Sequence, residues 1–371
     1  MPGSLPPLIP REVLFGNPDK ASPQVSPDGA LLAYLAPDDG VLNVWVRTLG
    51  QQDDRPVTRD RKRGIRAFQW AYDGRRLLYV QDQEGDENWH VWSVELATGV
   101  IRDMTPFQGV QAQIAGLHHR FPNEMLVGLN LRDARLHDVH RVDLATGAVT
   151  LDTENPGDVV AWLPDPEFRI RAAYAALPDG GFQLRVRDTG DAPAWRPLLT
   201  WGPEEEGRPL GFTPDGTGIY VGSSLGTDTE ELRVVDIRSC AEETLAGNPE
   251  VDLAEVIANP LDHHVEAVGF NRDRLRWHVL DEAVAGDLDF LQSQKEAEVR
   301  VASRDLADST WIVLYTLDRE PASYHTYHRR DRRVEFLFTT RPDLERYVLA
   351  EMRPVDIRAR DGLILPSYPR I

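Results

Sequence analysis

Cysteine, lysine and long apolar runs are scarce in this sequence. Cys240 is the single cysteine among 371 residues, so no internal disulfide can staple the fold and no cysteine cluster can hold a metal. Beside the run VVDIRS it reads as a small residue in or near a strand. Lysine occurs only at Lys20, Lys62 and Lys295, a compositional bias that carries no chemistry. Nowhere do the roughly 20 apolar residues of a membrane-spanning helix follow one another. The opening MPGSLPPLIPREVLF has neither the basic start nor the unbroken apolar core of an export signal. A cytoplasmic chain with no membrane partner is the expectation. Positive charge is also in deficit: 41 Lys and Arg against 60 Asp and Glu give a net charge of −19. Such a chain repels phosphate backbones, so nucleic acid is not an expected partner.

Against these absences stands a strong period. Seven segments lie over one another: NVWVRTL from Asn43, HVWSVEL from His90, DVHRVDL from Asp138, QLRVRDT from Gln183, ELRVVDI from Glu231, RWHVLDE from Arg276 and YHTYHRR from Tyr324. Their starts are spaced by 45 to 48 residues. Upstream of several lies a second marker, SPDGALLAYLA from Ser26, AYDGRRLLYVQ from Ala71 and TPDGTGIYVGS from Thr213. Each couples an Asp-Gly turn to an apolar strand. LATG at Leu96–Gly99 and again at Leu144–Gly147 supplies a further turn before a fourth strand. Four-stranded meanders repeated at this spacing predict an all-β fold, a seven-bladed β-propeller of four-stranded antiparallel blades. A parallel β-solenoid has shorter coils and lacks the hairpin rhythm. The blades are expected to begin near residues 22, 66, 111, 158, 209, 253 and 297, with the Asp-Gly turn most degenerate in the third, fourth and sixth. One insertion, Asp281 to Glu298, is rich in Ala, Leu and Glu and reads as a short helix.

Motifs for chemistry are weak by comparison. Gly222-Ser223-Ser224-Leu225-Gly226 matches G-x-S-x-G, but the segment leaving Ser224 reads as a strand, whereas a nucleophile elbow needs a helix there. His118-His119 and His263-His264 are adjacent pairs, and His325 and His328 are three apart; on strands all would diverge, so no metal site and no cofactor are expected. The stretch DQEGDENW from Asp82 lacks the order of a calcium loop and reads as a solvated turn. Glu204, Glu205 and Glu206 are three consecutive carboxylates that could hold a cationic amine, though charge runs ordinarily face water.

IPREVLFGNPDKASPQVSPDGALLAYLAP at the start, YVQDQEGDENWHVWSVELATG in blade two, LGFTPDGTGIYVGSSLGTDTEELRVVDI in blade five and MRPVDIRARDGLILPSY near the end resemble the acylaminoacyl-peptidase-like branch of the prolyl oligopeptidase serine peptidases. The likeness covers essentially the whole chain. It implies an N-terminal segment (1–21), a propeller (22–340), and a linker leading into the first strands of an α/β-hydrolase domain (341–371). In that family the hydrolase domain carries Ser, Asp and His, and the propeller gates entry of short peptides. Only 16 residues follow Val355, too few for an α/β sheet, so no catalytic residue can be assigned in this sequence. Repeat phase places the channel-lining positions near Gln24, Gln69, Gly116, Trp162, Gly211, Ala258 and Val301. The partners implied are a peptide substrate and a hydrolase domain, with self-association through the face that domain would cover. Two other readings stay open: a free-standing protein- or peptide-binding scaffold, and an enzyme using Ser224.

Overall fold

The computed structural model describes residues 7–190 and 194–368. Seven antiparallel meanders follow one another, spanning residues 21–56, 68–103, 112–153, 159–201, 207–246, 253–279 and 298–339. Each first strand begins within two residues of its expected start. The fold is a seven-bladed β-propeller; strand accounts for 47% and helix for 6%, far below the third that an average globular chain devotes to helix. In six blades four strands pair in simple chain order. The sixth has three, after which the chain runs into the helix Glu282–Gln294.

The turns show why the sequence folds this way. In blades one, two and five, Asp28, Asp73 and Asp215 accept the backbone N–H two residues on, at 3.1, 2.8 and 3.0 Å. The glycine that follows each is left-handed, with φ of 76°, 66° and 66°, the conformation glycine adopts without penalty. The same turn is made in blade four by Phe168 (φ 58°) and in blade seven by Asp308 (φ 51°), and its counterpart in blade six, one residue longer, by His263 (φ 64°). The turn persists there although its sequence signature has been replaced.

The chain divides into two compact units: one holds the residues up to Gly64, Asn271–Trp277 and those from Glu282 onward, the other Ile65–Phe270 and His278–Asp281. In the first, blades one and seven stand side by side without exchanging a strand. Val25, Leu32, Tyr34 and Ala36 of blade one pack on Ile312 and Phe338 of blade seven. The Val25 N–H donates to Ser303 Oγ at 3.1 Å and the Leu306 N–H to the Pro27 carbonyl at 2.9 Å.

The helix Glu282–Gln294 docks on blade seven through Val284, Leu288 and Leu291, spaced for one helical face, with Asp287 buried among them. Its carboxylate accepts from Tyr327 Oη at 2.5 Å and Arg329 Nε at 2.9 Å. Asp287→Asn places an amide donor against Arg329. The expected cost is about 1.5 kcal/mol, the value of a hydrogen bond to a charged group, read as a lower urea midpoint with an unchanged slope.

The N-terminal helix Arg11–Phe15 lies beside the 3-10 turn Pro342–Arg346, and Arg341 donates to the Val13 carbonyl at 3.3 Å. A two-stranded hairpin, Val355–Arg358 and Ile364–Ser367, turns at Gly362 (φ 96°). It is held by Arg272 on Asp356 at 2.9 Å and by Tyr368 Oη on the Arg272 carbonyl at 2.6 Å. No helix among the described residues is long and apolar enough to cross a membrane.

Candidate functional site

First strands of neighbouring blades approach one another: blade three's Ala112–Gly116 runs beside blade four's Val159–Pro164, which runs beside blade five's Gly207–Phe212. The approach is close. A side chain at Gly116 would stand 3.1 Å from Pro164 Cγ and 3.4 Å from the Phe168 ring. Among these strands and the turns that follow them, with blade six's Leu253–Ala258, lies a cavity of about 760 Å³. That volume falls in the range that small-molecule and short-peptide sites occupy.

Of the positions expected to line a channel, Trp162, Gly211 and Ala258 line this cavity, and Gly116 sits between the lining residues Ala115 and Leu117. Trp162 is fixed by its indole N–H, which donates to the His137 carbonyl at 3.1 Å, and by the neighbouring Trp195 ring at 5.8 Å. Gln69 lies on the first strand of blade two in the same unit, and is not among the lining residues. Gln24 and Val301 lie on the first strands of blades one and seven, in the other unit, where those strands run side by side.

Glu204, Glu205 and Glu206 form the exposed turn between blades four and five, away from the cavity lining. Glu205 spends its carboxylate on the Gly202 N–H at 2.7 Å. Ser224 sits in a turn between two strands, Gly218–Ser223 and Glu231–Asp236. Its hydroxyl accepts the Glu206 N–H at 2.8 Å and lies 3.3 Å from the Glu206 carbonyl. No helix leaves that turn, so the geometry of a nucleophile elbow is missing.

The histidines correct the sequence reading. His118 and His119 were expected to diverge as strand neighbours, but they follow the first strand of blade three and enter a turn, where the alternation of a strand does not apply. Their rings stack at 4.8 Å, and His263 meets them at 5.9 and 6.5 Å. All three line the cavity. Burial pushes His118 down to about 4, assisted by repulsion from His119, His263 and Arg120. Burial lowers His119 and His263 as well, so all three are neutral at pH 7. His264, adjacent to His263, faces elsewhere: Nδ1 lies 2.6 Å from Asp262 and Nε2 2.9 Å from Asp281. Burial alone would lower its pKa, but the two carboxylates outweigh it and raise it. The turns after the first strands of blades three, four, five and six contribute His118-His119, Pro166, Pro214 and His263 to the cavity.

No family model matches the chain. Individual relatives do. The chain is 37% identical over 364 residues to dipeptidyl aminopeptidase BIII of Pseudoxanthomonas mexicana, covering 97% of this chain and 52% of that protein. The chain is a homologue of this dipeptidyl aminopeptidase. Dipeptidyl peptidase family member 6 of Caenorhabditis elegans is 26% identical over 381 residues, covering 97% of this chain and 51% of that protein. The chain thus spans about half the length of the curated relatives it matches. Solved structures agree in fold. A prolyl endopeptidase superposes with a TM-score of 0.67 at 12% identity over 95% of this chain and 54% of that one. A Mycobacterium tuberculosis puromycin-hydrolysing peptidase gives 0.65 at 16% identity over 98% and 60%.

Proposed function

We propose that this chain is the substrate-gating propeller of a dipeptidyl-aminopeptidase-type serine peptidase acting on short peptides, paired with an α/β-hydrolase segment that carries the catalytic residues. The observation that carries the reading is the 37% identity over nearly the whole chain to a dipeptidyl aminopeptidase of roughly twice the length. The cavity supports it: its walls are first strands of successive blades, and it can admit a short peptide but no folded protein. In the unit that holds both chain ends, the N-terminal segment leaves Leu8 and Phe15 94% and 80% exposed, and the C-terminal hairpin exposes Leu363, Ile364 and Leu365. Exposed apolar side chains of this size on both flanking segments suit the docking of a further segment.

Complementation tests this reading. The purified 371-residue chain is expected to hydrolyse no dipeptidyl coumarin amide and to take up no fluorophosphonate, with Ser224→Ala changing neither result. Mixed with the hydrolase half of the Pseudoxanthomonas relative, it should restore turnover. Ala258→Trp, which fills the cavity from an exposed wall position, should then lower kcat/KM by about tenfold or more, with smaller effects on shorter substrates. Stoichiometric labelling of Ser224 would overturn the proposal. Failure of complementation with a folded, peptide-binding chain would favour the free-standing scaffold.

A further inference from the structure

We propose that His118, His119 and His263 form a three-imidazole site for a divalent transition-metal ion of the zinc class in the wall of the cavity. One atom from each ring can be chosen so that all three lie within 4.8 Å of one another. Nitrogens bound at 2.0–2.1 Å around a tetrahedral zinc are about 3.4 Å apart, so closure requires side-chain rotations of about an ångström. Two of the three residues stand in one turn and the third in the corresponding turn of blade six, more than a hundred residues later. A bound ion would therefore tie two blades across the cavity.

Hydrogen bonding favours this assignment over packing alone. His118 accepts the Arg120 N–H on Nδ1 at 3.1 Å, which fixes that nitrogen and leaves Nε2. His119 Nδ1 is buried with no hydrogen-bond partner, a condition that polar atoms in folded proteins rarely tolerate. The nearby charged groups have partners of their own: Asp262 is engaged by His264, and Arg120 is drawn to Glu167 at 3.0 Å and the Pro166 carbonyl at 3.2 Å. The second histidine cluster offers a contrast. Both nitrogens of His264 are occupied by Asp262 and Asp281, so that ring has no free lone pair for a metal.

Three imidazoles are the donor set of an open zinc site, with a fourth position for water or a ligand group facing the cavity. The inference stands apart from the peptidase reading, because its readout is metal binding by the chain itself. The untagged chain, stripped with chelator and dialysed, is titrated with Zn²⁺ by calorimetry and with Co²⁺ by visible absorption. One equivalent should bind, with the d–d bands of four- or five-coordinate cobalt and a raised melting temperature. His263→Asn keeps a residue that tolerates the left-handed backbone (φ 64°). It should weaken binding by more than the roughly 10–100-fold that loss of an outer-shell partner costs. His119→Ala should do the same, while exposed His278→Ala should leave affinity unchanged. Absence of stoichiometric binding at micromolar zinc, or equal affinity in folded His263→Asn and His119→Ala, would overturn the site.

Discussion

Gly207→Ala is expected to destabilise the protein by about 3 kcal/mol, at the upper end of what overpacking a core costs. Gly207 opens the first strand of blade five and passes directly over the indole of Trp201, the last residue of blade four. A Cβ there would lie 2.0 Å from the ring, and no rotamer of the alanine relieves an overlap made by its first side-chain atom. The indole cannot move aside cheaply. Trp201 is completely buried, its N–H donates to Ser223 Oγ at 2.9 Å, and Gly181 closes on its backbone, where a Cβ would be 2.3 Å from the Trp201 carbonyl. The Gly207 carbonyl also accepts from Tyr174 Oη at 2.5 Å, whose ring stacks on Phe182 at 4.8 Å. Displacing the strand therefore disturbs blades four and five together. Urea unfolding checks this through the midpoint. Trp201→Phe, which removes part of the obstructing ring, should cost less in the Gly207→Ala background than in the wild type, giving a coupling energy above about 0.5 kcal/mol. A wild-type midpoint for Gly207→Ala would refute the close approach.

Acid should remove about 2 kcal/mol through His325 alone. The imidazole lies in blade seven, edge-on to Tyr315 at 5.0 Å and Phe336 at 5.4 Å, with Nε2 3.2 Å from Ser323 Oγ. Burial lowers its pKa to about 4, and the nearby Lys295 ammonium adds to the effect. A histidine whose folded pKa lies below its unfolded value of about 6.5 stabilises the fold fully above 6.5. That contribution is lost as pH falls from 6.5 toward 4, and the loss levels off below 4. The full gap would be worth about 3 kcal/mol, reduced to about 2 because the ring retains some water access. His325→Phe keeps an aromatic ring against Tyr315 and Phe336 but cannot take up a proton. It should lose stability less steeply than the wild type between pH 6.5 and 4, although it sacrifices the Ser323 contact at neutral pH. Proton NMR of the His325 ring gives the direct check: a titration near 6.5 would sink the prediction.

Most of the fold was legible because its determinants are local. Alternating apolar positions, Asp-Gly turns whose carboxylates accept the N–H two residues on, and a 45-to-48-residue period each act within a few residues or within one blade, so blade count and strand starts follow from the chain. The helix Glu282–Gln294 was likewise visible in its Ala, Leu and Glu content. Repeat phase put Trp162, Gly211 and Ala258 on first strands, and they stand in the cavity wall, but Gln24, Gln69 and Val301 are on first strands too and are not among its lining residues.

The histidine cluster was not legible, and the error has a specific cause. Strand alternation does not hold at His118 and His119, which stand in a turn that lacks the Asp-Gly signature of blades one, two and five and is marked only by Pro122-Asn123 further on. The sequence by itself determined the repeat, the hairpins and the all-β class, since these depend on hydrogen bonds and burial between neighbours along the chain. Only the tertiary structure decided which turns converge. The approach of His263 to His118 and His119, like that of Gly207 to Trp201, depends on how separate blades pack, and no local rule of pairing or propensity encodes that distance.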